Sequence, residues 1–232
     1  MRYAAAIVQY NGDIFLEKQI ERLRKYVTLN MGDTLDIIVA DNSDPARCNE
    51  CHGGKANKNA AICSNNGAIY MPMEFREGDN STHHAMALNH IYHNYRSNFN
   101  GLLFLDHDIF PFNKTDILVN LPGHTFVGLA QEKGGAKYLH PALLGINLDL
   151  MQQDLNFLPT GGLDTGGQLA PLINDGNTKW LSLQYRNEGN DTFYEIIGDE
   201  WMHFVKGSNW NGNPNHKKRL KYLFSELEKT SL

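Results

Sequence analysis

The chain has 232 residues, 41% of them hydrophobic and 20% charged, with a formal net charge of -5. This is ordinary globular usage, long enough for one sizeable core, and it argues against disorder and fibrous repeats. The acidic balance argues against a nucleic-acid footprint, which needs clustered positive charge.

In chain order, residues 3–9 read as a buried strand. Tyr10-Asn11-Gly12-Asp13 then turns into a helix with apolar Ile14, Leu16, Ile20 and Leu23. The apolar run over residues 4–8 is too short for a signal segment or a membrane span. Residues 35–40 form a second β-rich run, closed by the turn-forming Asp41-Asn42-Ser43-Asp44-Pro45. Residues 46–67, rich in Asn, Gly, Lys and Cys, read as a long excursion or insertion. A helix is predicted over 81–96, and 101–105 is an apolar strand that delivers Asp106-His107-Asp108 at its end. Further β-like runs lie at 125–130 and 141–148, and a C-terminal helix is predicted over 216–229. Alternating strands and helices predict an α/β fold: a single Rossmann-like domain over 1–232, with a mainly parallel sheet covered by helices. The cleft belongs beyond the strands' carboxyl ends, where Asp41 and the Asp106 pair both fall.

Asp106 and Asp108 are two hard carboxylates one residue apart, a spacing that binds a hydrated Mg²⁺ or Mn²⁺ directly and through water. An isolated Asp-x-Asp most often marks a solvated turn. Here Leu102-Leu103-Phe104-Leu105 precedes it and Ile109-Phe110-Pro111-Phe112 follows, an apolar flank that holds the acids at a partly buried edge. Gly161-Gly162-Leu163-Asp164-Thr165-Gly166-Gly167 sets one acid between glycine pairs, which lets backbone approach a ligand closely. Asp164 is accordingly the candidate for acceptor-side chemistry, as base or as positioning group, with a turn and helix cap as its plain structural role.

The sequence resembles the GT-A glycosyltransferases, which use nucleotide-diphospho-sugars. The resemblance is carried by Ile7-Val8-Gln9-Tyr10-Asn11, by Ile38-Val39-Ala40-Asp41-Asn42-Ser43, and by the strand ending in Asp106-His107-Asp108. Met202-His203-Phe204-Val205-Lys206-Gly207-Ser208-Asn209-Trp210 is similar to the late segment of galactosyltransferase and glycogenin-like members. Here the glycine falls one residue later than in that pattern, and Asn209 stands where proline is usual. The resemblance implies transfer of a sugar from a nucleoside-diphosphate donor to a carbohydrate or other hydroxyl acceptor, assisted by Mn²⁺ or Mg²⁺. Asp106, Asp108 and His203 are the metal ligands it implies. Asp41 is implied at the base or ribose and Tyr10 beside the base, with Lys206 a point charge near the diphosphate. Retention or inversion stays open.

Two other functions compete. A non-catalytic carbohydrate- or nucleotide-sugar-binding protein on the same fold is one. An aspartate-nucleophile phosphatase is the other, although Phe110 stands where that class has a small residue. Cys48, Cys51 and Cys63 are odd in number, so no disulfide framework is expected and a cytoplasmic setting fits. They either stay free or hold a structural zinc with a histidine, and His52 beside Cys51 is awkwardly placed for that. Cys48-Asn49-Glu50-Cys51-His52 has the spacing of a haem attachment site, which needs an export context.

Overall fold

The computed structural model describes residues 1–10, 13–43, 58–73, 79–174, 176–189, 192–205 and 216–229. The elements are β1 (Arg2–Gln9), α1 (Asp13–Tyr26), β2 (Thr34–Asp41), α2 (Lys58–Asn65), β3 (Ile69–Pro72), α3 (Asn80–Tyr95), β4 (Gly101–Asp106) and β5 (Ile109–Pro111). They continue with α4 (Ile117–Asn120), β6 (Phe126–Lys133), β7 (Ala136–Asn147), β8 (Thr178–Leu181), β9 (Leu183–Gly189), β10 (Thr192–Ile197), β11 (Trp201–His203) and α5 (His216–Lys229).

A seven-stranded sheet runs β3-β2-β1-β4-β7-β6-β8. Only β7 is antiparallel to its neighbours, β4 and β6. The fold is therefore α/β with a mostly parallel central sheet, as the sequence predicts. β1 explains why its sequence lacks alternation: it lies between β2 and β4, and Tyr3 through Gln9 are all buried. A strand covered on both faces reads as one apolar run. Tyr3, Ala5 and Ile7 join Leu16, Ile20 and Leu23 of α1 on one face, whereas Ala4, Ala6 and Val8 join Ala85, Leu88 and Ile91 of α3 on the other. Each Leu or Ile so buried contributes about 1.5–3 kcal/mol.

Two features depart from the expected pattern. On α1 it is Phe15, not Ile14, that is fully buried. Residues 58–65 of the expected excursion form α2, which buries Asn59 and Cys63; residues 46–57 lie outside the described residues.

A second sheet, β5-β11-β10-β9, is wholly antiparallel. Phe110 of β5, Met202 of β11 and the following Phe204 pack with Phe15 of α1 and with Leu223 and Leu227 of α5. Arg22 of α1, itself buried, fastens this region. Its Nε donates to the Pro111 carbonyl at 2.8 Å, and its guanidinium also reaches the Leu227 carbonyl and Glu228 of α5. Among the described residues no helix is long and apolar enough to cross a membrane.

Candidate active site

The register pairs Val8 with Asp106 and Gln9 with Asp41, so both acids stand at the carboxyl edge of parallel strands. β4 ends at Asp106, His107 and Asp108 turn the chain, and β5 leaves into the second sheet. Gln19 of α1 clamps this turn from below: its Nε2 donates to the Asp106 carbonyl at 2.7 Å and to the Ile109 carbonyl at 2.8 Å. On the other side the Phe204 N–H donates to the Asp108 carbonyl at 2.8 Å. Pairing of His203 with Ile109 and Glu195 then sets its ring between Asp108 and Glu195.

Above the turn lies a cavity of about 630 Å³, in the usual size range for a small-molecule site. Asp106, Asp108 and His203 line it, and so do Tyr10 and Asp164. Asp41 does not. Its carboxylate is fully buried and turned into the fold, where Oδ1 accepts from the Ser43 N–H and hydroxyl and Oδ2 from Asn59 Nδ2 and the Tyr70 hydroxyl. Its neighbour Asn42 lines the cavity instead. The expected contact of Asp41 with a base or ribose therefore has no free acceptor behind it in this geometry. Asp164 is engaged too, accepting from Lys133 Nζ at 2.8 Å in an exposed ion pair. Lys206, Gly207 and Trp210 lie outside the described residues, as do Cys48, Cys51 and His52. Cys63 is a buried thiol.

The structure adds three histidines that no sequence pattern selects, His83 and His84 from the start of α3 and His140 from β7. A pair of histidines in the first turns of a helix has no signature by itself, and only the fold places α3 over the end of β4. His84 Nε2 is 3.0 Å from Asp106 Oδ1, and His203 Nε2 is 3.5 Å from Asp108 Oδ1 while its Nδ1 meets Glu195 at 3.1 Å. Glu195 is paired in turn with Arg186.

These pairs fix the charges. Burial alone would raise the Asp106 carboxyl, but the neighbouring His84 outweighs it and holds the acid well below the usual carboxylate range. Asp108 is lowered against the same penalty by His107 and His203. For His203, burial is outweighed by its hydrogen bonds to Asp108 and Glu195, and it sits well above the usual imidazole value. For His140 burial wins over the attraction of Asp106, and it is lowered. Both acids are thus anionic at the mouth of a cavity.

Among the described residues no three His, Cys, Asp or Glu side chains converge as a preformed metal cage. The donor chemistry nevertheless suits a divalent cation: two anionic carboxylates face one cavity, each with an imidazole nitrogen beside it.

No family model matches the sequence, nor does any curated protein. Solved structures do match in shape. A mannosyltransferase from Pyrobaculum calidifontis, in complex with GDP-Man and Mn²⁺, superposes with a TM-score of 0.52 at 14% identity, covering 77% of this chain and 54% of its own. TarS of S. aureus gives a TM-score of 0.52 at 14% identity, covering 78% of this chain and 35% of its own. This chain has the GT-A fold. It spans about half of the mannosyltransferase and about a third of TarS. Within the GT-A fold the cavity occupies the cleft beyond the strands' carboxyl ends, the general place for ligands in open α/β sheets.

Proposed function

We propose that this chain, as one GT-A domain over residues 1–232, is a metal-dependent glycosyltransferase. It moves a hexose from a nucleoside-diphosphate donor to a hydroxyl acceptor. The observation that carries this reading is the Asp106 and Asp108 pair, anionic and turned into a cavity of about 630 Å³ at the carboxyl edge of a GT-A sheet. The GDP-Man and Mn²⁺ complex of the structural neighbour supports the same choice of ligands.

Asp106 and Asp108 would hold Mn²⁺ or Mg²⁺, with His203 beside them. Bound there, the cation supplies positive charge against the donor diphosphate. As the bond between the sugar and the β-phosphate oxygen breaks, its electron pair stays on that oxygen, and fixed positive charge stabilises the leaving group. Glu195 orients His203 through Nδ1, which leaves Nε2 facing Asp108. Tyr10 offers a ring at the cavity wall for the donor base. Asp164, which also lines the cavity, would either take the acceptor hydroxyl's proton as that oxygen bonds to the sugar carbon or position sugar hydroxyls. Its pairing with Lys133 keeps it oriented, and the acceptor would have to displace or share that contact.

A thermal-shift screen of nucleoside-diphosphate sugars with and without Mn²⁺ tests this, because a ligand that prefers the native state raises apparent stability. A metal-dependent shift with one nucleotide class is the expected result. No shift with any donor, and no sugar transferred or hydrolysed, would overturn the assignment.

A further inference from the structure

We propose that His84 is a metal-binding residue of this site, taking the cation together with Asp106, and that it makes the site prefer Mn²⁺ over Mg²⁺. This rests on the reading of Asp106 and Asp108 as cation-holding carboxylates and adds a residue and a metal selectivity to it.

The first support is spacing. Two donors about 2.1 Å from one octahedral ion, at right angles, lie about 3.0 Å apart. His84 Nε2 and Asp106 Oδ1 are 3.0 Å apart. The second is that this nitrogen lacks a better use. Nε2 is buried, and although it is within ion-pair distance of Asp106 it has no well-directed hydrogen bond. A buried polar nitrogen without one is uncommon in a folded protein, and a ligand is one of the things that explains it. The third is rigidity. Asp79 caps α3 by accepting from the Thr82 N–H and hydroxyl, both at 2.8 Å. The Thr165 hydroxyl donates to the Ser81 carbonyl at 2.7 Å, and Ala85, Leu88 and Ile91 pack α3 onto the sheet. His84 is therefore presented to Asp106 by a fixed helix rather than by a loose loop.

The chemistry of the donor sets the selectivity. Mg²⁺ takes oxygen ligands and gives up its waters reluctantly, whereas imidazole suits the first-row transition metals. A site that brings His84 to Asp106 and His203 to Asp108 offers two nitrogens beside two carboxylates. A site built for Mg²⁺ would need neither nitrogen.

The test is calorimetric titration of Mn²⁺ alone and of Mg²⁺ alone into the wild-type chain, His84→Ala and His84→Gln, each variant first shown to be folded by circular dichroism. Wild type is expected to bind Mn²⁺ the more tightly. His84→Ala should lose about 10-fold or more in Mn²⁺ affinity with little change for Mg²⁺, so that the ratio of the two collapses. His84→Gln, which offers oxygen in place of nitrogen, should keep Mg²⁺ binding without restoring the Mn²⁺ preference. A residue that merely steadied Asp106 would weaken both metals alike, and that equal loss overturns the proposal, as does an unchanged Mn²⁺ affinity in His84→Ala. In either of those cases the carboxylate reading survives. Wild-type protein that binds neither metal overturns both.

Discussion

Asp41 separates what the sequence implies from what the fold does with it. Replacing it with asparagine changes one carboxylate oxygen to an amide nitrogen with almost no change in volume. The four donors around it do not change: the Ser43 N–H at 3.2 Å and hydroxyl at 2.6 Å on one oxygen, Asn59 Nδ2 at 2.8 Å and the Tyr70 hydroxyl at 3.0 Å on the other. The amide oxygen can serve one of these pairs, and its NH₂ then faces the other. Hydrogen bonds to a charged group contribute about 1.5–3 kcal/mol each, so losing two removes about 3–6 kcal/mol. Rotation of the Tyr70 hydroxyl and a flip of the Asn59 amide recover part of it, leaving a net loss of about 3 kcal/mol. For a chain of this size that lowers the melting temperature by roughly 6–12 °C. Urea denaturation and calorimetry measure the loss, and donor titration well below the new melting temperature measures binding. The expected variant is less stable and binds donor normally once folded. An equally stable Asp41→Asn protein with weakened donor affinity would refute the structural assignment and return Asp41 to the nucleotide.

Other outcomes follow from single contacts. Burial, with Asp41 adding to it, pushes the Cys63 thiol up to about 12; it should resist a thiol reagent at pH 8 until the chain unfolds, as read by peptide mass mapping. Gly128 sits at the bulge between β6 and β7, where an added Cβ would run into the Leu143 carbonyl oxygen and lie 3.2 Å from the Leu144 Cα. Gly128→Ala should therefore cost about 1–3 kcal/mol by chemical denaturation. Glu228 is held below its ordinary value of 4.5, first by its hydrogen bond to Lys18. A lowered carboxyl contributes stability that is present above its unfolded pKa and lost as pH falls through the folded one. The protection of α5 amides relative to their intrinsic exchange rate should accordingly fall below about pH 4.5, while the core strands stay protected, and Glu228→Gln should show lower α5 protection at neutral pH.

What was legible in the sequence were the parts with strong local patterns. β1 and β4 read as continuous apolar runs because side chains are buried on both faces of the sheet there, β2 reads from its β-rich Ile37-Ile38-Val39-Ala40, and α3 and α5 read from helical spacing. The second sheet was not legible. β5 and β11 have three residues each, too few to show a period, and β9 carries Arg186 and Tyr185 on exposed positions with little alternation. In the site, Asp106 and Asp108 stood out because an apolar strand ends on them. Asp41 looked equally well placed, at the end of the adjacent parallel strand, yet its side chain turns inward to bracket Ser43, Asn59 and Tyr70. Which face a strand-end residue takes depends on donors distant in sequence. His84 and His140 were invisible for the same reason, since their relation to Asp106 exists only once α3 and β7 pack beside β4.

The central claim is that Asp106 and Asp108 hold the cation that grips a nucleoside diphosphate. Calorimetric titration of UDP and of GDP, with and without Mn²⁺, into the wild-type chain and Asp108→Asn tests it most directly. One nucleotide should bind the wild type only with Mn²⁺ and should bind folded Asp108→Asn far more weakly. Equal, metal-independent affinity in the two proteins would contradict the account.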